Sequence, residues 1–393
     1  MDIANKVCTN YEAKFTGDQA DPEASLKPDI TFFSKNNAPS LQGASNVTSF
    51  LHMEMFVELK RDALYDPFRD LGEGMMGERT SINGSNTRGQ CLLYAANQLA
   101  YQHRLFAFSL VICGQNARFI RWDREGGVVS AAVDCLQCKN NPVIEFLQRF
   151  NQLTAEQRGW DPTAVPATPE EIEMFESAVA KVEIESLKLT VGDRGIYPRF
   201  RLEVRGANHA VSYYVVGRAL DYSLGVTGRC TRGFLALDVS TKKCVFLKDM
   251  WRPDVAAVKP EHVWYEKLAE AKVPHLIKFK HASDVVPSTP PIYYHGTVAL
   301  DRTEATSRDD AQRGLTSRLK CLFHSESLGT KLQGHIHYRL VQSEICRSLS
   351  EFTNSRHLVL VVLDSLKGER WADLAVIIPL TSDCAVQHAR RHS

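Results

Sequence analysis

Apolar residues in this chain recur in two rhythms, every second position and roughly every 3.6, and the rhythms alternate along its length. The first 26 residues are polar and aperiodic and predict a flexible lead-in. Lys27–Phe33 predicts a short strand, a stretch containing Asn, Ser and Gly follows, and Met55–Lys60 predicts a second strand ending in alternating charge. The glycine-rich, polar run Leu71–Gly89 predicts a loop. From Gln90 to about Arg104, the positions Leu92, Leu93, Ala96, Leu99 and Ala100 predict a helix. Phe106–Gly114 and Ala117–Asp123 predict paired strands across a Gly-Gln-Asn turn, and Val143–Leu153 predicts another helix. Thr168 with Glu171 three residues on is a capping-box pattern at the start of a further helix.

A second series of alternating segments starts near residue 199. Arg199–Gly206 and Ala210–Arg218 predict strands that feed a glycine-containing turn. Phe234–Val239 and Cys244–Leu247 predict a hairpin across the polar turn Ser240–Lys243, with Lys248 at the end of its second strand. Pro260–Val273 predicts an amphipathic helix, and Leu276–Val285, Ile292–Leu300 and His337–Ile345 predict strands. Asp301–Gln333 is charged and aperiodic and predicts a long exposed insertion. Ser355–Leu366 fits either a strand, by its β-branched content, or a helix.

The expected class is α+β: a flexible N-terminus over residues 1–26, a mixed α/β domain over 27–190, a second domain over 191–369, and a tail over 370–393. At 393 residues the chain is long enough for two such cores, and its 44% hydrophobic and 24% charged content is that of a globular protein. The formal charge of +1 gives no reason for whole-molecule attraction to nucleic acid or an anionic membrane. Neither a secretory signal nor an apolar run of spanning length is present, so an intracellular location, cytoplasmic or nuclear, is expected. The ten cysteines are scattered and read as reduced thiols. Cys135 and Cys138 form a lone CxxC without the second ligand pair that a zinc site needs. Trp122–Glu125 reads as a structural turn.

Lys248 carries the most chemistry. A lysine at the inner end of an apolar strand needs partners for its ammonium. The glycine-rich turn one hairpin upstream could bring free backbone N–H groups to the same phosphates, and Glu261, thirteen residues on, could hold the lysine in place. The plainer reading is a β-hairpin with an exposed lysine. Phe246–Arg252 resembles the sequence around the phosphate-anchoring lysine of the fungal-type protein kinase family. Arg88–Val129, Arg158–Glu171, Thr227–Asp238 and His337–Phe352 are similar to that family's blocks in the same order, and the likeness spans roughly Lys27–Glu369. It implies that 191–369 is a kinase-like small lobe with its hinge and the first large-lobe helix, and that the cofactors are ATP and Mg²⁺. In that scheme Gly225, Gly228 and Gly233 approach the phosphates, Lys248 contacts them and Glu261 orients Lys248, with Glu266 the competing carboxylate. Tyr338–Glu344 leads to the hinge, and the implied partners are a nucleotide and a protein substrate. The glycine spacing departs from the kinase GxGxxG.

Phosphoryl transfer also needs an aspartate to accept the hydroxyl proton and an Asn and Asp for metal. After Glu369 the sequence shows no HRD-like or DWD-like motif, and Asp373 and Asp383 stand in no matching context. The expectation is a chain truncated before the catalytic loop, with the large lobe largely missing and no catalytic residue to name. A different class competes in the first domain. Asp29 in Lys-Pro-Asp-Ile, and Glu58 with Lys60 in Glu-Leu-Lys, resemble the PD-(D/E)xK nuclease core, with Gln90 opening the bracing helix. There two carboxylates hold Mg²⁺ and a lysine steadies the attacking water, so the partner would be nucleic acid.

Overall fold

The computed structural model describes residues 1–35, 48–72, 75–137, 139–184, 186–188, 197–206, 210–286, 312, 334–348 and 351–374. Cys138, the expected strand Ile292–Leu300, all but Gln312 of the insertion Asp301–Gln333, the tail beyond 374 with Asp383, and most of the expected boundary near 190 lie outside them. The chain divides into two units. One comprises Met1–Ala164, Tyr222–Cys230 and Val286–Ile336, and the other Val165–Asp221, Thr231–Val285 and His337–Ser393.

In the first unit the elements run α1 (Asp2–Val7), β1 (Tyr11–Phe15), β2 (Ile30–Ser34), β3 (Met53–Lys60), β4 (Phe68–Gly72), β5 (Met75–Glu78), α2 (Ile82–Tyr101), β6 (Phe106–Cys113), β7 (Asn116–Asp123), β8 (Gly126–Val129), β9 (Val133–Asp134) and α3 (Pro142–Gln152). The main sheet has the order β1-β2-β3-β6-β7-β8, with β9 also on β7. Its neighbours are antiparallel except β3 and β6, which run parallel because α2 carries the chain between them. β3 lies mid-sheet with six consecutive buried residues, Met53–Glu58, as a strand covered on both faces must. Phe33, Phe56, Val111 and Ile120 on one face pack against Cys91, Tyr94, Ala95 and Leu99 of α2. Phe32, Met55, Val57 and Leu110 on the other pack against Leu147 and Phe150 of α3, with Ala4 and Val7 of α1 beside them.

Two expectations fail here. The N-terminal residues are ordered: Cys8, Tyr11 and Ala13 are buried, because β1 pairs with β2 along its length and brings its alternate side chains onto the core. The segment Leu71–Gly89 is no loop either. Its described residues complete β4, form β5 and make the first two turns of α2, capped by Ser81, whose Oγ accepts the Gly84 N–H. Those turns, Ile-Asn-Gly-Ser-Asn-Thr-Arg-Gly, show no apolar period because they carry few apolar side chains. Gly84 is required there, since a Cβ would come within 2.8 Å of Arg79 Cβ and 3.1 Å of the Asp66 carbonyl. Gln90 is consequently mid-helix and exposed.

Trp122–Glu125 is a buried brace. Trp122 Nε1 donates to Ser109 Oγ, and Arg124 donates to the carbonyls of Leu99 and Gly225, while Glu125 accepts the His335 N–H. Buried Glu54 accepts from Arg104 (2.5 Å) and Arg158 (3.2 Å). Buried Arg118 pairs with Asp66 and Asp70.

The second unit runs β10 (Ala164–Pro166), α4 (Pro169–Val179), β11 (Phe200–Arg205), β12 (Val211–Val216), β13 (Asp221–Tyr222), β14 (Arg232–Asp238), β15 (Lys243–Pro253), α5 (Glu261–Glu270), β16 (Phe279–Asp284), β17 (His335–Gln342) and α6 (Ser355–Leu374). The sheet order is β10-β11-β12-β14-β15-β17-β16, with β13 on β14. The sequence pattern assigned α4 to the first domain. Phe175 and Val179 instead form a core with Val215, Leu235, Leu237 and Ile345 of this unit, which moves the division to Ala164/Val165. The Thr168–Glu171 capping box is formed, and Ser355–Leu366 resolves as helix within α6. Among the described residues no helix is long and apolar enough to cross a membrane.

If α4 is held chiefly by its apolar face, Phe175→Ala should destabilise this unit by about 3–5 kcal/mol and Thr168→Ala by only about 1 kcal/mol. Urea unfolding of both variants checks this; equal losses would assign the helix to its cap.

Candidate functional site

β14 and β15 set the geometry of the second unit. Arg232 faces Asp249, Gly233 faces Lys248, and Leu235 faces Phe246. Side chains alternate across a sheet, so Gly233, Leu235, Leu237, Cys244, Phe246 and Lys248 share one face, and Arg232 and Asp249 share the other. β15 runs on to Pro253, so Lys248 sits in mid-strand rather than at its end, and it is 8% exposed.

On its own face Lys248 meets α5. Its Nζ lies 3.0 Å and 3.2 Å from the two carboxylate oxygens of Glu261, the first residue of the helix. Glu266 is exposed and acts instead on His262 as a neighbouring charge. The helix is fixed from below: its His262 N–H donates to the Tyr338 hydroxyl at 3.1 Å, and Gln342 Nε2 donates to the Tyr265 hydroxyl at 3.2 Å. Tyr265 packs with Met250, Tyr338 and Leu340, and Leu268 is buried. The docked face is thus Tyr265 and Leu268. Val263 and Trp264 are only half-buried, and Lys267 lies over the Trp264 ring.

The glycines part company. Gly233 faces Lys248 and is a packing requirement, because a Cβ there would come within 2.8 Å of the Phe246 ring. Gly228 has a φ of +95°, which favours glycine, and open space at its Cβ position. Gly225 gives its carbonyl to Arg124. Both fall in the first unit, so only Gly233 shares a unit with Lys248 and Glu261.

The opposite face holds a charge cluster that the sequence pattern does not announce. Asp249 is 1% exposed and takes a 2.6 Å hydrogen bond from Arg232 and another from His337, with Arg339 Nε 3.7 Å away. Burial alone would push its carboxyl up, but the surrounding cations hold it well below the usual carboxylate range. His337 stacks on Trp251 at 4.8 Å. The cluster's advance sign is basic residues at alternate positions, His337 and Arg339, inside an otherwise apolar strand.

The three residues of the nuclease-like pattern come together in the first unit. Lys60 Nζ lies 2.6 Å from Glu58 Oε1, and Asp29 Oδ2 accepts the Leu59 N–H at 2.7 Å. Burial, joined by the neighbouring charge of Asp29, pushes the Glu58 carboxyl up, against the pull of Lys60. Cys135 is a free thiol, and no group of three His, Cys, Asp or Glu that could hold a metal occurs among the described residues.

A depressed folded-state pKa stabilises above the unfolded value and is lost as pH falls through the folded one. Asp249 should therefore support the fold throughout neutral pH. Asp249→Asn, which leaves buried cations without their counter-charge, should cost about 3–5 kcal/mol at neutral pH. In acid unfolding monitored by circular dichroism, the gap from wild type should narrow only below about pH 4; a gap that closes by about pH 6 would contradict this.

Searches of curated proteins and of solved structures each returned no match. Residues 76–372 match the family described as fungal protein kinase. That span contains Gly225, Gly228, Gly233, Lys248 and Glu261, and begins after Asp29, Glu58 and Lys60. Since the match takes in well over half of the sequence, the chain belongs to the fungal protein kinase family.

Proposed function

We propose that the second unit acts as a kinase-like small lobe that engages a nucleotide through Lys248 without transferring its phosphoryl group. The carrying observation is the Lys248–Glu261 ion pair. In protein kinases a strand lysine on the α- and β-phosphates is held by a carboxylate of the next helix, and this pair must be in place for activity. Counting from Val211–Val216, and passing over the two-residue β13, Lys248 lies on the third strand, and Glu261 opens the helix after it. Both groups are largely buried, so their attraction exceeds that of an exposed pair. The family implies ATP and Mg²⁺ as cofactors. Lys248 and Glu261 fit the phosphate end of ATP, whereas the Phe246 ring fills the space over Gly233; among the described residues no group of three His, Cys, Asp or Glu that could hold a metal accompanies them.

Transfer needs a base and a metal site, and losing a positioned base alone costs a factor of about 10²–10⁴. We read this stretch as a pseudokinase-like module, located inside the cell, whose partner is a nucleotide and whose protein contacts are those of a binding module. The packing of α4 tempers nucleotide affinity: Phe175 and Val179 cover Leu235 and Leu237 on the face that carries Lys248. A Mg²⁺-dependent nuclease acting on nucleic acid is the other reading, and it draws on Asp29, Glu58 and Lys60 alone.

Titration with a fluorescent ATP analogue should give saturable binding that Lys248→Ala weakens by at least about tenfold, the effect of one charge-assisted phosphate contact worth about 1.5–3 kcal/mol. Glu261→Gln should weaken it less. Binding that ignores Lys248→Ala would remove the nucleotide from this site. Incubation with Mg²⁺ and labelled ATP should label no protein, and labelling abolished by Lys248→Ala would overturn the inactivity.

A further inference from the structure

Beside the β14–β15 turn the second unit holds a groove of about 1070 Å³. Four segments of that unit line it: the chain leaving α4, the turn itself, the residues after β17, and the first turn of α6. Each brings positive charge. Lys181 comes from the first, Lys242 and Lys243 from the second, Arg347 from the third and Arg356 from the fourth. All five are exposed, and Glu183 is the one carboxylate among the described residues that line the groove.

That charge is left unmatched. Elsewhere in the unit basic side chains find carboxylates, Arg199 with Glu176, Arg201 with Glu171, Arg252 with Asp284 and Lys280 with Asp238. Among the described residues none of the five groove cations has such a partner. The whole chain carries a formal charge of only +1, so the excess is local. Like charges gathered on one surface repel, and a bound anion relieves the repulsion. Lys242 adds a separate sign, because its φ of +56° is a conformation that favours glycine or asparagine, yet the turn holds a lysine there.

Under the charged rim the floor is aliphatic. Ile184 and Ile345 are buried, with Val182 and Leu360 half-buried beside them. Among the described residues no Phe, Tyr or Trp lines the groove, so it lacks the stacking platform that single-stranded nucleic acid uses. A bare polyphosphate would leave the aliphatic floor uncovered, and the volume is above the range of about 300–1,000 Å³ usual for small ligands. We propose that this groove binds an extended peptide of a partner protein in which phosphorylated or acidic residues alternate with aliphatic ones. Alternate side chains of an extended segment point to opposite sides, so the aliphatic ones enter the floor while the anionic ones meet the rim. Arg347 and Arg356 can each take a phosphate or carboxylate through two parallel hydrogen bonds. Cys244, which lines the groove, lies four residues before Lys248, roughly 14 Å along the strand. The proposal therefore does not rest on the nucleotide reading.

The test is fluorescence anisotropy of the full chain with a labelled peptide of alternating phosphoserine and leucine. Saturable binding is expected, and peptides with serine for phosphoserine, or serine for leucine, should bind at least about tenfold more weakly. Aspartate in place of phosphoserine separates the two sources: full affinity assigns an acidic partner, reduced affinity a phosphorylated one. The double variant Arg347→Gln/Arg356→Gln should weaken binding by at least about tenfold, the effect of losing charge-assisted contacts. Both residues are exposed, so its thermal midpoint should match the wild type. Lys248→Ala should leave peptide binding unchanged, which keeps this outcome separate from that of the nucleotide site. A wild-type chain that binds no peptide overturns the proposal, as does binding retained in the double variant. Displacement of the peptide by inorganic tripolyphosphate or by a single-stranded oligonucleotide, at equal phosphate concentration, would also overturn it.

Discussion

The pairing of β14 with β15 decides more than any other contact in this chain. Its alternation sends Lys248 to one face and Asp249 to the other, each toward opposite charge. A slip of one residue would exchange the faces. Lys248 would then enter a cluster already holding Arg232, His337 and Arg339, and Asp249 would confront Glu261. Both outcomes bury like charges together, so the register is guarded electrostatically as well as by the apolar pattern. The glycine at 233 belongs to the same constraint, because Phe246 needs the space above it.

How far the sequence could be read depended on which force shaped each element. Strands buried on one face kept their period and could be read directly, as Phe106–Cys113 and Asn116–Asp123 show. The Thr168 cap was legible because its chemistry is local. The first turns of α2 were not, since they rest on a cap and on a glycine fitted under the Asp66 carbonyl, neither of which leaves an apolar rhythm. The N-terminal residues looked aperiodic because β1 is short and its order comes from pairing with β2, a partner about twenty residues away.

The candidate sites divide in the same way. Lys248 and Glu261 could be named because strand and following helix are close in sequence, and a tether of twelve residues limits where the helix can go. Asp29, Glu58 and Lys60 could be named from residue type, while the burial of Glu58 beneath α2 could not, because it depends on a helix twenty-odd residues on. The Asp249 cluster is assembled from three strands, and no local pattern joins them. The separation of Gly225 and Gly228 from Gly233 was equally hidden, for a chain crossing between units leaves no mark in a turn.

The placement of α4 sets a threshold for whatever uses the Lys248 face. Leu235 and Leu237 have no exposed surface, and Phe175 is equally closed off. A flat apolar group seeking Leu235 must first lift the helix away. Its apparent dissociation constant is then the intrinsic value divided by the fraction of molecules with α4 displaced. If lifting costs about 2.8 kcal/mol, that fraction is roughly one in a hundred and affinity falls about a hundredfold. Occupancy of the face would thus be governed less by the ligand's own contacts than by how firmly eleven residues, beginning at Pro169, hold to the sheet.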